Sequence, residues 1–236
     1  MARTIYSATL SEINSLTETV RELNIGFHQP NEMPFQSGQF VILHVPQADS
    51  EKKAKRAYSI ASSHHDGQTI KLIIKLVPDG LASEYVKTLN PGDQLEVSGP
   101  FGKLLFKTPP TENIFFFCTG AGVSQHHSFL TSHADLLKDK NCHLFFGVWN
   151  ETEIFFQKEL EQIQLPKFNF EYVLDHALND DWQGKTGYVT DYLNTLDFTN
   201  DNATFYLCGN PAMIKSMKAA LEAKDFPKDR IFAEAF

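Results

Sequence analysis

The chain has 236 residues, 42% of them hydrophobic and 21% charged, a composition typical of a soluble globular protein with room for two domains. Its formal net charge of −8 is spread without long runs, which argues against nucleic acid or an anionic membrane as the main partner. The three cysteines, Cys118, Cys142 and Cys208, are too few for a plant-type iron–sulfur cluster and indicate a reduced, cytoplasmic protein.

The first part of the chain, residues 1–107, is predicted to form a small closed barrel of six antiparallel strands. Short runs rich in β-forming residues are separated by turn signals such as Ser37-Gly38 and Pro91-Gly92-Asp93. One helix is predicted at Leu81–Leu89, where apolar residues recur on one face. The predicted strands are Thr4–Leu10, Thr17–Asn24, Gln39–Val45, Ala57–Ala61, Thr69–Val77 and Gln94–Ser98.

Within the barrel, the segment Arg56-Ala57-Tyr58-Ser59 combines three polar functions in four residues. Arginine pairs bidentately with phosphate, tyrosine offers a flat stacking surface, and serine can hydrogen-bond a ring nitrogen. Together they suit a flavin nucleotide, although a plain barrel strand with an exposed arginine is the alternative interpretation.

A second candidate element opens the predicted helix at Gly80-Leu81-Ala82-Ser83. A glycine turn at a helix start presents free N–H groups and the positive end of the helix dipole, which together favour an anion. A turn with an ordinary helix cap is the alternative interpretation, and for an isolated Gly-x-x-Ser it is the more common one.

Around Thr108-Pro109-Pro110 the pattern changes to buried runs that alternate with helices, which predicts a five-stranded parallel sheet over residues 108–236. In such a sheet, ligands bind at the carboxyl ends of the strands. The predicted strands include Ile114–Cys118, His143–Val148, Phe168–Leu174 and Thr204–Cys208. The predicted helices are Ser124–Leu137, Phe156–Ile163, Val189–Asn194 and Pro211–Ala223.

The first strand-to-helix turn of this part is Thr119-Gly120-Ala121-Gly122-Val123. Two glycines let the backbone approach a pyrophosphate at the helix N-terminus. As a dinucleotide fingerprint it is incomplete, because Gln125 stands where the third glycine would be.

Taken together, these segments resemble the ferredoxin-NADP reductase superfamily, most closely its stand-alone flavin reductase and oxygenase reductase branches. The resemblance implies an FAD-binding barrel and an NAD(P)-binding sheet, with Arg56 on the pyrophosphate, Tyr58 stacked on the isoalloxazine and Ser59 near flavin N5. The usual proline of the Thr-Gly-x-Gly loop is absent here. On the barrel the resemblance implies FAD contacts from Arg56, Ala57, Tyr58, Ser59, Ile74, Lys75, Val77, Gly80, Leu81, Ala82 and Ser83.

The same resemblance extends to the nucleotide-binding part. It implies coenzyme contacts from Thr119, Gly120, Gly122, Val123, Trp149, Asn150, Asp175, Cys208, Gly209 and Met213, and a flavin contact from the terminal Phe236. It also implies catalytic roles for Ser59, Cys208 and Glu234. No arginine occurs between Ala57 and Asp229, and Asp175 suits a ribose hydroxyl, so NADH is expected in preference to NADPH.

The implied activity is transfer of a hydride from NAD(P)H to FAD, followed by electron transfer to ferredoxin, flavodoxin or an oxygenase component. An NAD(P)H:free-flavin reductase is the alternative, and a non-catalytic flavin- or dinucleotide-binding electron-transfer subunit is a further one.

Other chemistries find little support in the sequence. The histidine pairs His64-His65 and His126-His127 lack the spacing of metal ligands, so no metal site is predicted. No Gly-x-Ser-x-Gly elbow indicates a hydrolase. The chain starts without the apolar region of an export signal, and no stretch reaches the roughly 18 apolar residues of a membrane helix.

Overall fold

The computed structural model describes residues 4–47 and 50–235. The chain divides into two compact units. The first comprises Met1–Leu105 with His127–Ser132, and the second comprises Phe106–His126 with His133–Phe236. Within the described residues, no helix is both long enough and apolar enough to cross a bilayer.

The first unit is built on a six-stranded antiparallel sheet with strand order β4-β3-β6-β1-β2-β5. Ile60, the residue after β4, forms an isolated bridge with Leu72 of β5, so the two edges of the sheet approach each other over a short length only. One helix, α1, spans Leu81–Thr88 and starts from Gly80 as its N-cap. The strands are β1 Ile5–Ser15, β2 Val20–Gln29, β3 Phe40–Gln47, β4 Ser50–Ser59, β5 Thr69–Lys75 and β6 Gln94–Phe101.

Alternating apolar residues fill the barrel because every second side chain of a strand points inward. Along β2, Leu23, Ile25 and Phe27 are buried, and Ala8 and Leu10 of β1 join them in the same core. Strand β4 differs, since its lysine- and glutamate-rich stretch is almost entirely exposed. The sheet edge that carries the Arg56 segment is therefore open to solvent.

The second unit contains a parallel sheet with strand order β10-β9-β8-β7-β11-β12. Its strands are β7 Asn113–Thr119, β8 Asn141–Val148, β9 Phe168–Leu174, β10 Lys185–Thr186, β11 Ala203–Gly209 and β12 Ile231–Ala235. The helices are α2 Val123–Ser132, α3 Ala134–Leu137, α4 Gln157–Glu161 and α5 Pro211–Glu222. Only the first part of α2, up to His126, is grouped with this unit.

The predicted two-part architecture is confirmed, but the predicted count of five parallel strands is wrong. The sheet has six. Strand β10 has two residues and is too short to leave a periodic signal in the sequence. Strand β12, Ile231–Ala235, has no fully buried residue, so it lacks the buried apolar run that marks the central strands.

Two predicted helices also differ from the observed ones. The run Ser124–Leu137 is interrupted at His133, whose backbone lies at φ −120° and ψ 25°, so α2 and α3 are separate. The segment Val189–Thr195 is a 3-10 helix. Buried phenylalanines from three neighbouring strands, Phe117, Phe145 and Phe205, form the centre of the core under α5.

Candidate cofactor sites

The Arg56 segment occupies the end of β4. Arg56 and Ala57 are exposed, and Nη1 of the Arg56 guanidinium donates a hydrogen bond to the carbonyl of Lys55 at 2.9 Å. Tyr58 packs against the barrel core while keeping part of its ring accessible. Burial raises the pKa of the Tyr58 phenol, and the nearby Arg56 charge opposes that rise. Ser59 is half-buried, so the segment presents a cation, a ring and a hydroxyl in sequence.

The chain leaving this segment is fixed by hydrogen bonds within the first unit. The carbonyl of Ala61 accepts from Nδ1 of His127 at 2.7 Å, and that of Ser62 accepts from the Ser128 hydroxyl at 2.8 Å. The Ala61 N–H donates to the carbonyl of Lys71 at 2.8 Å. These contacts hold the backbone after Ser59 in one course, which the sequence did not predict.

The N-terminus of α1 forms the second element of this unit. No side chain caps Gly80, and the first intrahelical bond runs from the Glu84 N–H to the Gly80 carbonyl at 2.9 Å. The amides that precede Glu84 in the helix have no carbonyl one turn earlier to bind. A Cβ on Gly80 would lie 2.5 Å from Cγ2 and 3.2 Å from the carbonyl oxygen of Val77, so a larger residue here would require the Val77 side chain to move.

Other barrel residues predicted to contact FAD lie in different environments. The Ser83 hydroxyl is buried and accepts a hydrogen bond from the Val77 N–H at 2.8 Å, which leaves its own hydrogen to donate. Ile74 and Ala82 are buried in the barrel core, so only their backbone groups are available to a ligand. Lys75 and Val77 are exposed, and Leu81 packs on the edge of the core.

In the second unit, two glycine-containing turns meet at the carboxyl ends of β7 and β11. A Cβ on Gly122 would lie 2.3 Å from the carbonyl oxygen of Cys208, and one on Gly209 would lie 2.4 Å from Oγ1 of Thr119. The Thr119 hydroxyl also accepts the Asn210 N–H at 2.9 Å. Gly120 and Gly209 have φ values of 53° and 131°, which favour glycine. The two turns thus form a tight backbone cradle at the start of α2. Val123, the first residue of α2, is buried beside this cradle.

Cys208 and Glu234 are aligned partners in the parallel pairing of β11 with β12. Cys208 is fully buried, and burial raises the pKa of its thiol, with a further contribution from the Glu234 carboxylate. Glu234 is half-buried, which raises the pKa of its carboxyl group. Its Oε2 accepts a hydrogen bond from Nε2 of Gln125 at 2.7 Å. At neutral pH the thiol is therefore un-ionised.

Beyond β8 and β9, Trp149 and His176 stack at a ring-centroid distance of 4.1 Å. The Trp149 ring is 55% exposed. Asn150 caps the short helix after it, since its Oδ1 accepts the Thr152 N–H at 3.0 Å. Asp175 is half-buried at the end of β9, and Nδ1 of His176 lies 3.7 Å from its Oδ2. A flat aromatic surface and a carboxylate are therefore neighbours at this edge.

A second carboxylate lies in the same region. Glu151 accepts the N–H groups of Leu178 and Asn179 at distances of 2.9–3.4 Å, and the bond from Leu178 is the main cause of its lowered carboxyl pKa. No role for Gln125, Glu151 or His176 is predicted from sequence, because their partners are distant in the chain. Met213 is half-buried against the sheet core, and Phe236 lies outside the described residues.

The fold and these paired elements define a two-part oxidoreductase with one sheet for a flavin nucleotide and one for a nicotinamide nucleotide. Residues 7–106 match the family model for an oxidoreductase FAD-binding domain, and residues 116–219 match that for an oxidoreductase NAD-binding domain. The chain belongs to the ferredoxin-NADP reductase superfamily.

Several known proteins share this organisation. The reductase component DmpP of phenol 2-monooxygenase from Pseudomonas sp. strain CF600 is 31% identical over 98% of the chain and 65% of its own length. The toluate 1,2-dioxygenase electron transfer component of Pseudomonas putida is 27% identical over 98% of the chain and 67% of its own length. The chain thus spans about two thirds of the length of these relatives.

Solved structures agree in fold. A ferredoxin NADP+ reductase from Neisseria gonorrhoeae, solved with bound FAD and NADP, superposes with a TM-score of 0.83 at 22% identity, over 100% of this chain and 99% of that one. The ferredoxin reductase in carbazole 1,9a-dioxygenase gives a TM-score of 0.86 at 23% identity, over 100% of this chain and 70% of that one.

Proposed function

We propose that the chain is an FAD-dependent NAD(P)H oxidoreductase that takes a hydride from NADH and passes electrons to a protein acceptor. The observation that carries this proposal is the backbone cradle formed by Thr119, Gly122, Cys208 and Gly209. The same chain presents the Arg56-Ala57-Tyr58-Ser59 segment at an open sheet edge. Binding of both nucleotides by one chain is what such an electron transfer requires.

The barrel suits FAD in three respects. The exposed Arg56 guanidinium offers bidentate contacts to a diphosphate, and the uncapped N-terminus of α1 offers backbone N–H groups. The half-buried Tyr58 ring supplies a stacking surface fixed by the core behind it. Bound FAD would supply the redox chemistry, since it accepts two electrons together and releases them onward.

The second unit suits a dinucleotide because side chains are excluded where a pyrophosphate would approach. A Cβ at Gly122 or at Gly209 would overlap backbone atoms, so the turns keep their N–H groups at the helix start accessible. The stacked Trp149 and His176 rings offer a flat surface for a base.

The charges near the ends of β8 and β9 favour NADH. The Asp175 carboxylate accepts hydrogen bonds from a ribose hydroxyl but repels the 2′-phosphate of NADPH. The carboxylate of Glu151 adds negative charge to the same region. Arg230 is the only arginine beyond Arg56, and its Nη1 donates to the carbonyl of Asn200 at 3.1 Å.

For the acceptor, we propose an oxygenase component or a ferredoxin, in line with the names of the two oxygenase-system relatives. Flavodoxin is a further protein acceptor of the same class. The three buried cysteines carry free thiols, which suits a reducing compartment, proposed to be the cytoplasm.

The experiment that tests this function is anaerobic reduction of the FAD-loaded protein by NADH and by NADPH, followed in the flavin absorption bands. We expect rapid bleaching by NADH, slower bleaching by NADPH, and reoxidation by an oxygenase component or ferredoxin. Failure of NADH to bleach the flavin would contradict the proposal. If free FMN is reduced catalytically while the protein retains no flavin after gel filtration, the free-flavin reductase alternative replaces it.

The coenzyme preference has its own test. In Asp175→Ser the repulsion of a 2′-phosphate is removed, so we expect the kcat/KM ratio of NADH to NADPH to fall by roughly tenfold. Asp181→Ser, an exposed aspartate later in the same connection, is the matched control and should leave the ratio unchanged. An unaltered ratio in Asp175→Ser would remove Asp175 from the coenzyme site.

A further inference from the structure

The side chain of Gln125 is the starting point of a further inference. It is the third residue of α2, Val123–Ser132. Gln125 is 0% exposed, and Nε2 donates to Oε2 of Glu234 at 2.7 Å. Burial of an amide is costly unless it is hydrogen-bonded, so this contact is a defined structural feature rather than a solvated pair.

The backbone around Gln125 is held as firmly as its side chain. Gly122, three residues earlier, contacts the carbonyl of Cys208 so closely that no Cβ fits between them. His126, the next residue, is fully buried, and its Nε2 lies 3.1 Å from the carbonyl of Phe117 in β7. A rigid helix start therefore presents the amide to Glu234 in one orientation.

The other partner is located by strand pairing. Parallel pairing of β11 with β12 aligns Glu234 with Cys208, so the carboxyl group lies next to the strand end that forms part of the nucleotide cradle. The strand register fixes the backbone position of Glu234, and the hydrogen bond from Gln125 fixes the position of its carboxyl group. Without the amide, the carboxyl group would keep its backbone position and lose the contact that selects its rotamer.

We propose that Gln125 is a positioning residue, which orients the Glu234 carboxyl group beside Cys208 and stabilises its ionised form. This inference rests on the proposed function and on the catalytic role that the resemblance to the superfamily implies for Glu234. A neutral amide suits the task because its N–H donates to a carboxylate without adding a charge to a nucleotide site.

The test compares Gln125→Met, which keeps the length of the side chain and removes its donor, with the wild type. Loss of the donor should raise the carboxyl pKa of Glu234, since burial already raises it and the hydrogen bond from Gln125 opposes that effect. Carbon-13 NMR of side-chain-labelled glutamate in the cofactor-free chain measures this directly, and Glu234→Gln identifies the signal.

The kinetic readout is the pH profile of flavin reduction by NADH. We expect its acidic limb to move to higher pH in Gln125→Met and the rate at pH 7 to fall by roughly tenfold. The matched control is Gln157→Met, which removes an exposed bond of the same type, from Nε2 to Oε1 of Glu161 at 2.7 Å. It should leave both the pH profile and the NMR titration of Glu234 unchanged.

A double variant separates this inference from the proposed function. If Gln125 acts through Glu234, then Gln125→Met adds no further loss in the Glu234→Gln background. An unchanged Glu234 titration in Gln125→Met overturns the positioning role, and so does a loss that is additive in the double variant. If the titration moves while Glu234→Gln reduces flavin at the wild-type rate, the hydrogen bond stands, and it is the assignment of Glu234 to the reaction that fails.

Discussion

Replacement of Gly122 by alanine tests the nucleotide cradle most directly. A Cβ at this position would lie 2.3 Å from the carbonyl oxygen and 2.7 Å from the carbonyl carbon of Cys208. Ordinary contact begins at 3.4 Å, so the α2 start and the end of β11 must separate by about 1 Å. Backbone atoms cannot rotate away as a flexible side chain can, so the strain is shared between the two turns.

The expected cost of Gly122→Ala is about 1–3 kcal/mol in the free energy of unfolding, the usual range for overpacking. Displacement of the turn by about 1 Å should also slow flavin reduction by NADH by roughly tenfold to a hundredfold. Urea unfolding followed by tryptophan fluorescence reports this unit, because both tryptophans, Trp149 and Trp182, belong to it. Stopped-flow absorption measures the hydride transfer.

Gly120→Ala is the matched comparison, since it makes the same substitution in the same turn. A Cβ at Gly120 meets nothing within 4 Å, and its φ of 53° costs about 1 kcal/mol for a residue other than glycine. We therefore expect a smaller loss of stability than in Gly122→Ala. If Gly122→Ala is no less stable than Gly120→Ala and reduces flavin at the wild-type rate, the overlap with Cys208 does not control the site.

Three further predictions concern other parts of the molecule. Arg56→Ala should weaken FAD binding by roughly tenfold to a hundredfold. Because the side chain is exposed, the urea midpoint should stay unchanged. Equilibrium dialysis of FAD measures the affinity, and an unaltered affinity would exclude a phosphate contact from Arg56. Ser83→Ala should lower the free energy of unfolding by about 1 kcal/mol, because the Val77 N–H loses its acceptor. Circular dichroism in urea measures this loss. The control is Thr88→Ala, which removes an exposed hydroxyl that donates to the Tyr85 carbonyl and should cost less. Burial lowers the pKa of His126 from its ordinary value of 6.5 to about 4, so between these pH values the unfolded chain binds a proton that the folded chain does not. Its contribution to stability is therefore complete above pH 6.5 and is lost as the pH falls toward 4, by about 3 kcal/mol. Burial also lowers the pKa of His127 to about 4, so His126→Gln should make the dependence of the urea midpoint on pH less steep in this window without abolishing it. An equally steep dependence would contradict the assignment.

The elements with a strong local pattern were predicted well. Phe168–Leu174 was predicted as a strand and observed with the same bounds, and the predicted helix Leu81–Leu89 differs by one residue at its end. Uninterrupted apolar runs identify strands that are buried on both faces, and glycine and proline mark the turns between them. The same local signals identified the turn at Gly120 and Gly122.

The details of the candidate sites were less accessible from sequence. The hydrogen bond of Ser83 to the end of β5, the capping role of Asn150 and the burial of Ile74 all depend on side-chain directions that a motif does not specify. The contact of Glu151 with Leu178 and Asn179 links residues that lie 27 and 28 positions apart. No periodicity in the sequence reports such a contact.

The sequence by itself determined the order of the elements, the two glycine-rich turns and the chemical groups available for two nucleotides, because these depend on neighbours within a few residues. Tertiary structure alone decided that β12 joins the parallel sheet, and hence that Glu234 lies opposite Cys208 and within reach of Gln125. Gln125 and Glu234 are 109 residues apart in the chain. Their contact follows from strand register and helix packing, which arise only when the whole sheet assembles.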